Sequence, residues 1–482
     1  MQIVKEKQMK VLFATSEAHP FAASGGLADV SGALPKALRA RLVGARVIMP
    51  LYDTISEEMK QKLTFVTAIS VPVAWRRQYC GIFKATIDGV VYYLIDNQYY
   101  FKRGSLYGHY DDAERFAFFS RAVLEVARAV EFKPDIIHCN DWQTALVPLY
   151  LRLFYQGDPY VGGAKTLFTI HNIQYQGIYG MELLRDVLGI PEDQKDLIEY
   201  NGCCNFMKGG IECANFVSTV SPTYAGEILN PWYAHKLDKI LCERSWKLSG
   251  ILNGIDTSLY DPETDEFIVK NFSADNIEGK AENKRALQEE FGLPVRDDVP
   301  LVAMVTRLVS HKGLDLIKAR LEGIIQNNDM QMIVLGSGDY EYEQFMSEIA
   351  EKHPDQFKLK LGFIPALSRK IYAASDIFLM PSKSEPCGLS QMIALRYGSI
   401  PVVRKTGGLA DSIQDSGLYE GNGFVFENYN ADEMAHAVYR AVEGYKNKEG
   451  WAQLRKRAMQ CDNSWNVSAN AYIRLYKEII NK

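Results

Sequence analysis

The sequence lacks the features that define several large classes of protein. No run of residues approaches the ~18 apolar residues of a membrane-spanning helix, and segment 1–8 has no apolar core of the kind found in signal peptides. The eight cysteines include no Cys-x-x-Cys pair, which argues against a zinc site or a redox pair. The net charge of −5 gives no support for nucleic acid or an anionic membrane as a partner. These absences predict a protein of the reducing cytoplasm.

The motifs of several enzyme classes are missing as well. The sequence contains no serine-hydrolase elbow, no H-E-x-x-H pair, no Walker loop and no residues with metal-ligand spacing. The two carboxylates of a glycoside hydrolase cannot be recognised from spacing alone. No metal site is therefore predicted.

What the sequence does contain is a long alternation of short apolar runs and amphipathic segments. With 482 residues the chain is too long for one core. One series of candidate strands comprises residues 10–15, 46–49, 90–95, 135–139, 165–170 and 216–220, and a second comprises 301–306, 332–335, 358–361, 377–380 and 400–403. Strands at this spacing are typical of parallel sheets covered by helices on both faces. The pattern predicts two doubly wound α/β domains, with ligands bound beyond the carboxyl ends of the strands in a cleft between the domains.

The boundary between the domains is predicted near Asn253-Gly254, a strong turn signal that follows an apolar run. We assign residues 1–250 to the first domain and 251–463 to the second. The last helix, within 464–482, is predicted to complete the first domain. Other candidate helices are 34–41, 115–130 and 280–291.

The most informative segment, 381–390, follows one candidate strand and precedes a candidate helix at 392–397. It places a single carboxylate, Glu385, on a strand-to-helix turn ahead of the first amides of a helix. Those amides favour anions, because they are unpaired and lie at the positive end of the helix dipole. A carboxylate for sugar hydroxyls beside a cradle for phosphate indicates a sugar-nucleotide site. The alternative is an ordinary turn with Glu385 as a solvated charge.

Glycine turns and a cationic pair point to the same kind of ligand. Gly25-Gly26 joins the first strand to a helix beginning near residue 30, where the backbone can approach a phosphate, although a ligand-free turn explains these glycines equally well. Gly336-Ser337-Gly338 is a weaker case of the same kind. Arg307 and Lys312 follow another strand and suit a diphosphate leaving group without a metal, or else are solvated loop charges.

Asp141 and His171 each follow an apolar strand of the first series. Because the carboxyl ends of parallel strands meet at one edge of a sheet, we expect the two residues to lie there together. Their side chains suit hydroxyl recognition or proton transfer. A capping aspartate and a hydrogen-bonded core histidine are the alternatives.

These motifs together resemble one family, bacterial glycogen synthase and plant starch synthase, from about residue 10 to the C-terminus. The matching segments are 24–30, 32–35, 138–142, 171–177, 220–222, 252–256, Arg307 with 312–313, 336–339 and 385–391. The family consists of retaining α-1,4-glucan glucosyltransferases with the GT-B fold, two Rossmann-like domains facing a cleft. The resemblance therefore implies a glycosyltransferase of glycogen or starch biosynthesis.

The resemblance also assigns roles to individual residues. Arg307 and Lys312 would hold the donor diphosphate, and Glu385 would bind glucose hydroxyls. His171 would lie near the 6-hydroxyl of the glucosyl ring, and Asp141 would line the transfer site. Further donor contacts are implied at Gly25, Gly26, Gly336, Phe363, Gly388, Leu389 and Ser390, with Phe363 stacking on the base. Sugar or acceptor contacts are implied at Asn172, Tyr175, Gln176, Asn253 and Cys387.

The chemistry that the resemblance implies is equally specific. The donor would be ADP-glucose, the acceptor a non-reducing end of glycogen or a maltooligosaccharide, and neither metal nor cofactor would take part. Retention would proceed by front-face attack, with a phosphate oxygen of the leaving group taking the acceptor proton and no covalent intermediate. Whether the chain forms a homo-oligomer is left open by the sequence.

Three positions depart from the family pattern. Ala23 stands where the family usually has a donor-site lysine, and Gln143 stands where it often has histidine. Ile393 occupies the place of a second glutamate found in many related GT-B enzymes, including sucrose synthases, and so favours the glycogen and starch synthase branch. Ala23 leaves two alternatives open, a UDP-glucose-using glucan synthase and a catalytically impaired glucan-binding scaffold.

Overall fold

A computed structural model describes residues 8–362, 364–417 and 420–482. The chain divides into two compact units, unit 1 with Met1–Asn253 and Trp465–Lys482, and unit 2 with Gly254–Ser464. Each unit carries a sheet of mainly parallel strands with helices between them, so the prediction of two doubly wound α/β domains is confirmed.

Unit 1 is organised around a nine-stranded sheet. The strands of unit 1 are β1 Lys10–Ala14, β2 Gly44–Pro50, β3 Thr64–Val73, β4 Arg76–Ile87, β5 Val90–Asp96, β6 Ile136–Asn140, β7 Lys165–Ile170, β8 Ile178–Gly180, β9 Glu199–Tyr200, β10 Cys203–Asn205, β11 Phe216–Thr219 and β12 Leu248–Gly250. Their order in the large sheet is β12-β11-β7-β6-β1-β2-β5-β4-β3, and β8, β10 and β9 form a small separate sheet. From β1 the chain passes to β2, then to β3 at the outer edge, comes back through β4 to β5, and later continues to β6 on the other side of β1. This reversal between β1 and β6 is a topological switch point, where α/β sheets bind ligands.

The sheet of unit 1 is not parallel throughout, contrary to the sequence-based expectation. Strands β3 and β4 pair antiparallel with each other, and β4 pairs antiparallel with β5. Along β3, Val71 and Val73 are buried, whereas Ala68 and Ser70, which point to the other face, are exposed. A strand covered on one face alternates in this way, so it has no continuous apolar run such as the fully buried Val11-Leu12-Phe13 of β1.

The helices of unit 1, apart from the C-terminal one, lie between these strands along the chain. They are α1 Gly26–Arg39, α2 Glu57–Gln61, α3 Gln98–Phe101, α4 Asp112–Ala129, α5 Leu146–Phe154, α6 Leu183–Asp186, α7 Phe206–Cys213, α8 Pro222–Glu227 and α9 Asp238–Glu243. Among them, α4 packs on the antiparallel strand β3. The first of them begins at Gly26, four positions before the start expected near residue 30. The glycine turn is therefore the first turn of the helix itself, with the extended Gly25 as its N-cap.

Unit 2 is built on a six-stranded sheet that is parallel throughout. Its strands are β13 Leu301–Val305, β14 Gln331–Gly336, β15 Phe357–Leu361, β16 Ile377–Met380, β17 Ile400–Arg404 and β18 Phe424–Phe426, in the order β15-β14-β13-β16-β17-β18. Its helices are α10 Glu278–Glu290, α11 Leu314–Asn327, α12 Tyr340–Lys352, α13 Pro365–Ala374, α14 Ser390–Arg396, α15 Gly407–Ser412, α16 Ala431–Lys446 and α17 Lys448–Met459. The switch point of this sheet lies between β13 and β16.

The C-terminal helix, α18 Trp465–Asn481, belongs to unit 1. The hydroxyl of Tyr476 lies 2.7 Å from Nδ1 of the fully buried His138 on β6. The helix thus packs against the strand that ends at the unit 1 switch point. Along the described part of the chain, no helix combines the length and apolar character needed to cross a membrane.

Candidate active site

In unit 1, the residues singled out from the sequence lie at the carboxyl ends of three neighbouring strands. Asp141 directly follows β6, His171 directly follows β7, and Gly25-Gly26 begins the helix after β1. Strand β6 pairs with both β1 and β7. The structure therefore brings these residues together at the switch point.

Asp141 is held in an unusual backbone conformation. Its φ is +56°, in the left-handed region that residues other than glycine seldom adopt. Its Oδ1 accepts hydrogen bonds from the backbone N–H of His171 at 2.7 Å and of Asn172 at 3.4 Å. Burial raises the pKa of Asp141 to about 7, although these two amides act in the opposite direction. The carboxyl group is thus suited to exchange a proton or to bind hydroxyls near neutral pH.

The imidazole of His171 is neutral, because burial lowers its pKa to about 3. Its Nε2 lies 2.9 Å from Oδ1 of Asn140, the last residue of β6. A neutral imidazole has one nitrogen that donates and one that accepts. His171 can therefore recognise a polar group without bringing a charge to the site.

The sequence analysis missed Glu17, which lies in the loop after β1. The residue is 3% exposed, and its Oε2 accepts a hydrogen bond from the backbone N–H of Ser24 at 2.5 Å. Burial raises the pKa of Glu17 to about 7. Its position just beyond a buried strand is the same signal that identified Asp141. Ser16, in the same loop, has its hydroxyl 2.7 Å from that of Tyr107, which lies between α3 and α4.

The first glycine turn is open. Apart from its chain neighbours, a Cβ added to Gly25 or Gly26 would meet no described atom within 4 Å, and neither residue has a positive φ. Packing and backbone strain therefore do not require glycine here, whereas close approach of a ligand would. A cavity of about 450 Å³ adjoins the turn and is lined by residues 21–24, Thr54 and residues 104–107.

The residues predicted to meet an acceptor differ in what they can offer. Tyr175 is 53% exposed, and Asn253 is buried with an Oδ1 that has no hydrogen-bond partner among the described residues. By contrast, the amide nitrogen of Gln176 donates to two backbone carbonyls and its oxygen accepts from Asn205. The side-chain oxygen of Asn172 accepts from a backbone amide in its own loop. Gln176 therefore orders this loop, while Tyr175 and Asn253 keep polar atoms available to a ligand.

In unit 2, the central feature is an ion pair at the switch point. Glu385 lies in the loop after β16, is 6% exposed, and accepts hydrogen bonds from Lys312 Nζ at 2.7 Å and Ser382 Oγ at 2.9 Å. The sequence analysis gave Glu385 and Lys312 separate roles, and the structure joins them. Because an ammonium group donates several hydrogen bonds, Lys312 can hold Glu385 and an oxygen of a ligand at once.

A glycine makes this pairing possible. Gly313, next to Lys312, has a φ of +80°, and a Cβ there would lie 2.1 Å from the backbone oxygen of Pro381. The turn that carries Lys312 is thereby packed directly against the end of β16. Arg307, after β13, is exposed, and its side chain has no ion-pair partner within the described residues. Its planar fork is available to a diphosphate.

The loop after Glu385 is fastened by the buried Gln391. Its Nε2 donates to the backbone oxygens of Cys387 and Gly388, each at 3.0 Å. Helix α14 begins at Ser390, so the amides of Leu389 and Ser390 lie in its first turn.

At Gly336, an added Cβ would lie 1.9 Å from a backbone oxygen, so packing explains that glycine. Phe363 lies outside the described residues.

The second copy of Gly-Gly-Leu-Ala-Asp, at 407–411, supports this loop. Cβ atoms added to Gly407 and Gly408 would lie 2.0 Å from the backbone oxygens of Glu385 and Cys387, respectively. The N–H of Gly408 donates to the same Glu385 oxygen at 3.1 Å. Here the glycines are needed because helix α15 packs against the Glu385 loop. Within the described residues, no group of three or more His, Cys, Asp and Glu side chains could hold a metal ion.

Comparisons with known proteins cover nearly the whole chain. Two family models match, the starch synthase catalytic domain over residues 10–243 and glycosyl transferases group 1 over residues 287–458. The chain is 51% identical to glycogen synthase of Geobacillus thermodenitrificans over 478 residues, 98% of each protein. It is also 51% identical to glycogen synthase of Bacillus anthracis over 476 residues, 98% of this chain and 100% of the relative.

Solved structures give the same result. The catalytic domain of starch synthase IV from Arabidopsis thaliana, bound to ADP and acarbose, is 36% identical with a TM-score of 0.91 over 99% of this chain and 100% of that one. Sucrose-phosphate synthase from Thermosynechococcus elongatus has a TM-score of 0.61 at 17% identity, over 98% of this chain and 100% of that one. The second similarity is one of fold alone.

Proposed function

The chain belongs to the family of bacterial glycogen synthases and starch synthases, and from this premise we propose that it transfers a glucosyl group from ADP-glucose to the non-reducing 4-hydroxyl of an α-1,4-glucan, with retention of configuration. Family membership makes it a glycosyltransferase with the GT-B fold. ADP as the nucleotide is supported by the Arabidopsis relative, which was solved with ADP. A cytoplasmic location is part of the proposal.

The observation that carries the proposal is the Glu385–Lys312 ion pair, together with the exposed Arg307 after β13, which has no ion-pair partner among the described residues. A buried carboxylate suits glucose hydroxyls, and the two cations suit the charge that develops on a departing diphosphate. Lys312 contacts Glu385 directly and so couples the sugar end of the donor to its phosphate end. In this proposal Arg307 and Lys312 supply the positive charge that a metal ion would otherwise provide.

Unit 1 contributes groups for the sugar and the acceptor. His171 meets the 6-hydroxyl of the glucosyl ring, Asp141 lines the transfer site, and Asn253 and Tyr175 meet the acceptor. With a pKa of about 7, the carboxyl of Asp141 can bind hydroxyls in either protonation state. The acceptor attacks the face from which the diphosphate departs, and a phosphate oxygen takes the proton of the 4-hydroxyl. No side chain forms a covalent intermediate.

The test is a product assay on the full chain. Incubation with ADP-glucose and glycogen should release ADP and lengthen glucan chains by the same number of glucose units, with or without excess EDTA. UDP-glucose should compete poorly with ADP-glucose. Faster transfer from UDP-glucose would replace the proposed donor, and glycogen binding without ADP release would favour a glucan-binding scaffold. A strict requirement for a divalent cation by the folded protein would contradict the proposed role of Arg307 and Lys312.

A further inference from the structure

The imidazole of His171 is tied to a buried asparagine that the sequence analysis did not single out. Asn140 is fully buried at the end of β6, and its Oδ1 lies 2.9 Å from Nε2 of His171. Because a neutral imidazole carries its hydrogen on one nitrogen only, this contact is a hydrogen bond only if the hydrogen is on Nε2. The hydrogen-bond partners of Asn140 decide whether the hydrogen of His171 is on Nε2.

The side-chain amide of Asn140 can face only one way. Its Nδ2 lies 3.0 Å from the backbone oxygen of Ala14 and 3.3 Å from that of His138. Both are carbonyl oxygens, which only accept, so the rotated amide would set its own oxygen against two acceptors. The oxygen of Asn140 therefore faces His171, and since this oxygen cannot donate, Nε2 must carry the hydrogen.

The rest of the environment preserves this state. The backbone N–H of His171 donates to Asp141 at 2.7 Å, which fixes the start of the loop. Burial lowers the pKa of His171 to about 3 and holds the pKa of the neighbouring His138 well below its usual range. Both rings are therefore neutral at physiological pH. Nδ1 of His171 then has a free lone pair, and it makes no hydrogen bond within the described residues.

We propose that Asn140 is a positioning residue that holds His171 as the Nε2–H tautomer, so that Nδ1 is a standing hydrogen-bond acceptor for a hydroxyl of the donor sugar. This inference rests on the proposed function and adds a direction to it: the sugar donates and the imidazole accepts. His171 then supplies no proton during transfer. A sugar with a carboxylate in place of the hydroxymethyl group would place a carboxylate oxygen, which can only accept, against Nδ1 of His171, which also only accepts. Such a donor is rejected.

Nitrogen-15 NMR of the histidine-labelled full chain tests the tautomer directly, with His171→Gln identifying the signals. We expect an unprotonated Nδ1 and a protonated Nε2, unchanged between about pH 6 and about pH 9. Asn140→Ala should move both signals toward the average of two tautomers. Cys139→Ala is the matched control, because Cys139 precedes Asn140 on β6 and points to the opposite face of the sheet.

A protonated Nδ1 in the wild type would overturn the proposal, and so would identical His171 signals in the wild type and folded Asn140→Ala. The wild-type spectrum decides the tautomer even if that variant does not fold.

Donor discrimination gives a second readout. The wild type should prefer ADP-glucose to its 6-deoxy analogue by about tenfold or more in kcat/KM, the effect of losing one well-placed hydrogen bond. Asn140→Ala should lose most of that preference, whereas Cys139→Ala should keep it. Equal preference in wild type and Asn140→Ala would overturn the positioning role. If the protein transfers glucose but His171 is the opposite tautomer, the inference is wrong and the proposed function stands. If His171 is the predicted tautomer but the protein transfers glucose from no donor, the proposed function is wrong, and the contact between His171 and the sugar with it.

Discussion

Unit 1 and unit 2 each place their candidate residues at the switch point of a sheet, but they present opposite kinds of side chain there. At the switch point of unit 1, burial raises the pKa of both Glu17 and Asp141 to about 7 and keeps His171 neutral. At the switch point of unit 2, Glu385 is paired with Lys312, and the guanidinium side chain of Arg307 is exposed. A hydroxyl group can be recognised without a charged partner, whereas a diphosphate calls for fixed positive charge. The difference indicates that the two units handle different parts of the reaction.

The largest effect is expected from breaking the ion pair of unit 2. Lys312→Met leaves the carboxylate of Glu385 buried without its cation, and we expect a loss of about 3 kcal/mol in the free energy of unfolding together with loss of turnover. The double variant Lys312→Met with Glu385→Gln should recover most of the lost free energy of unfolding but not the lost turnover. Denaturant unfolding and ADP release measure the two properties separately.

The matched control for that pair is Lys318→Met, because Lys318 and its partner Glu341 are both exposed. Its stability should change by less than about 1 kcal/mol. Equal losses in Lys312→Met and Lys318→Met would mean that the Glu385 pair behaves as an ordinary surface pair.

Two substitutions of Arg307 test whether the donor site needs only its positive charge or also the planar shape of its guanidinium group. Arg307→Ala should lower kcat/KM by about 10²-fold or more without changing stability, because the side chain is exposed and, in the proposed function, stabilises the transition state. Arg307→Lys keeps the charge but not the planar fork, and it should recover only part of the loss. The control is Arg320→Ala, an exposed arginine on α11. Near-normal turnover in Arg307→Ala would remove this residue from the donor site.

A substitution of Glu17 tests whether folding raises the pKa of a buried carboxyl group in unit 1. Its pKa is raised on folding from 4.5 to about 7, so the folded chain binds its proton more tightly than the unfolded chain does, and stability falls as pH rises through this range. Glu17→Gln removes the titration and keeps an acceptor for the N–H of Ser24. The free energy of unfolding that the variant gains over wild type should be about 2 kcal/mol larger at about pH 8 than at about pH 5. Glu58→Gln, on exposed α2, is the control. A stability difference that does not vary with pH would show that Glu17 is ionised throughout.

The smallest effect is expected at Ala23, which lines the cavity beside the first glycine turn. Ala23→Lys adds a cation to a unit whose site otherwise relies on neutral groups. One added charge-assisted contact should lower the KM for ADP-glucose by about threefold to tenfold and leave kcat nearly unchanged. A raised KM would show that the cavity is already used by the substrate.

Much of this arrangement was predictable from the sequence, because buried parallel strands produce continuous apolar runs and the candidate site residues directly follow them. Asp141, His171, Arg307 and Glu385 were located in this way. The antiparallel edge was missed, since a strand covered on one face alternates instead. The pairing of Glu385 with Lys312 depends on contacts between segments far apart in the chain, which no local pattern encodes.

The two copies of Gly-Gly-Leu-Ala-Asp illustrate the same limit. Their sequences are identical, and each begins a helix. Around Gly25 and Gly26 there is open space among the described atoms, whereas Gly407 and Gly408 fit against backbone oxygens of the Glu385 loop. Packing explains the second pair and does not explain the first. Only the tertiary structure distinguishes the two.

The division of labour between the units is tested most directly by calorimetric titration of ADP into the wild type, Arg307→Ala and Asp141→Asn. The account predicts that Arg307→Ala weakens ADP binding about tenfold or more, while Asp141→Asn binds ADP within about twofold of wild type and still loses glucosyl transfer. Equal weakening of ADP binding by the two substitutions would contradict the account, because the nucleotide would then depend on unit 1 as much as on the fixed charges of unit 2.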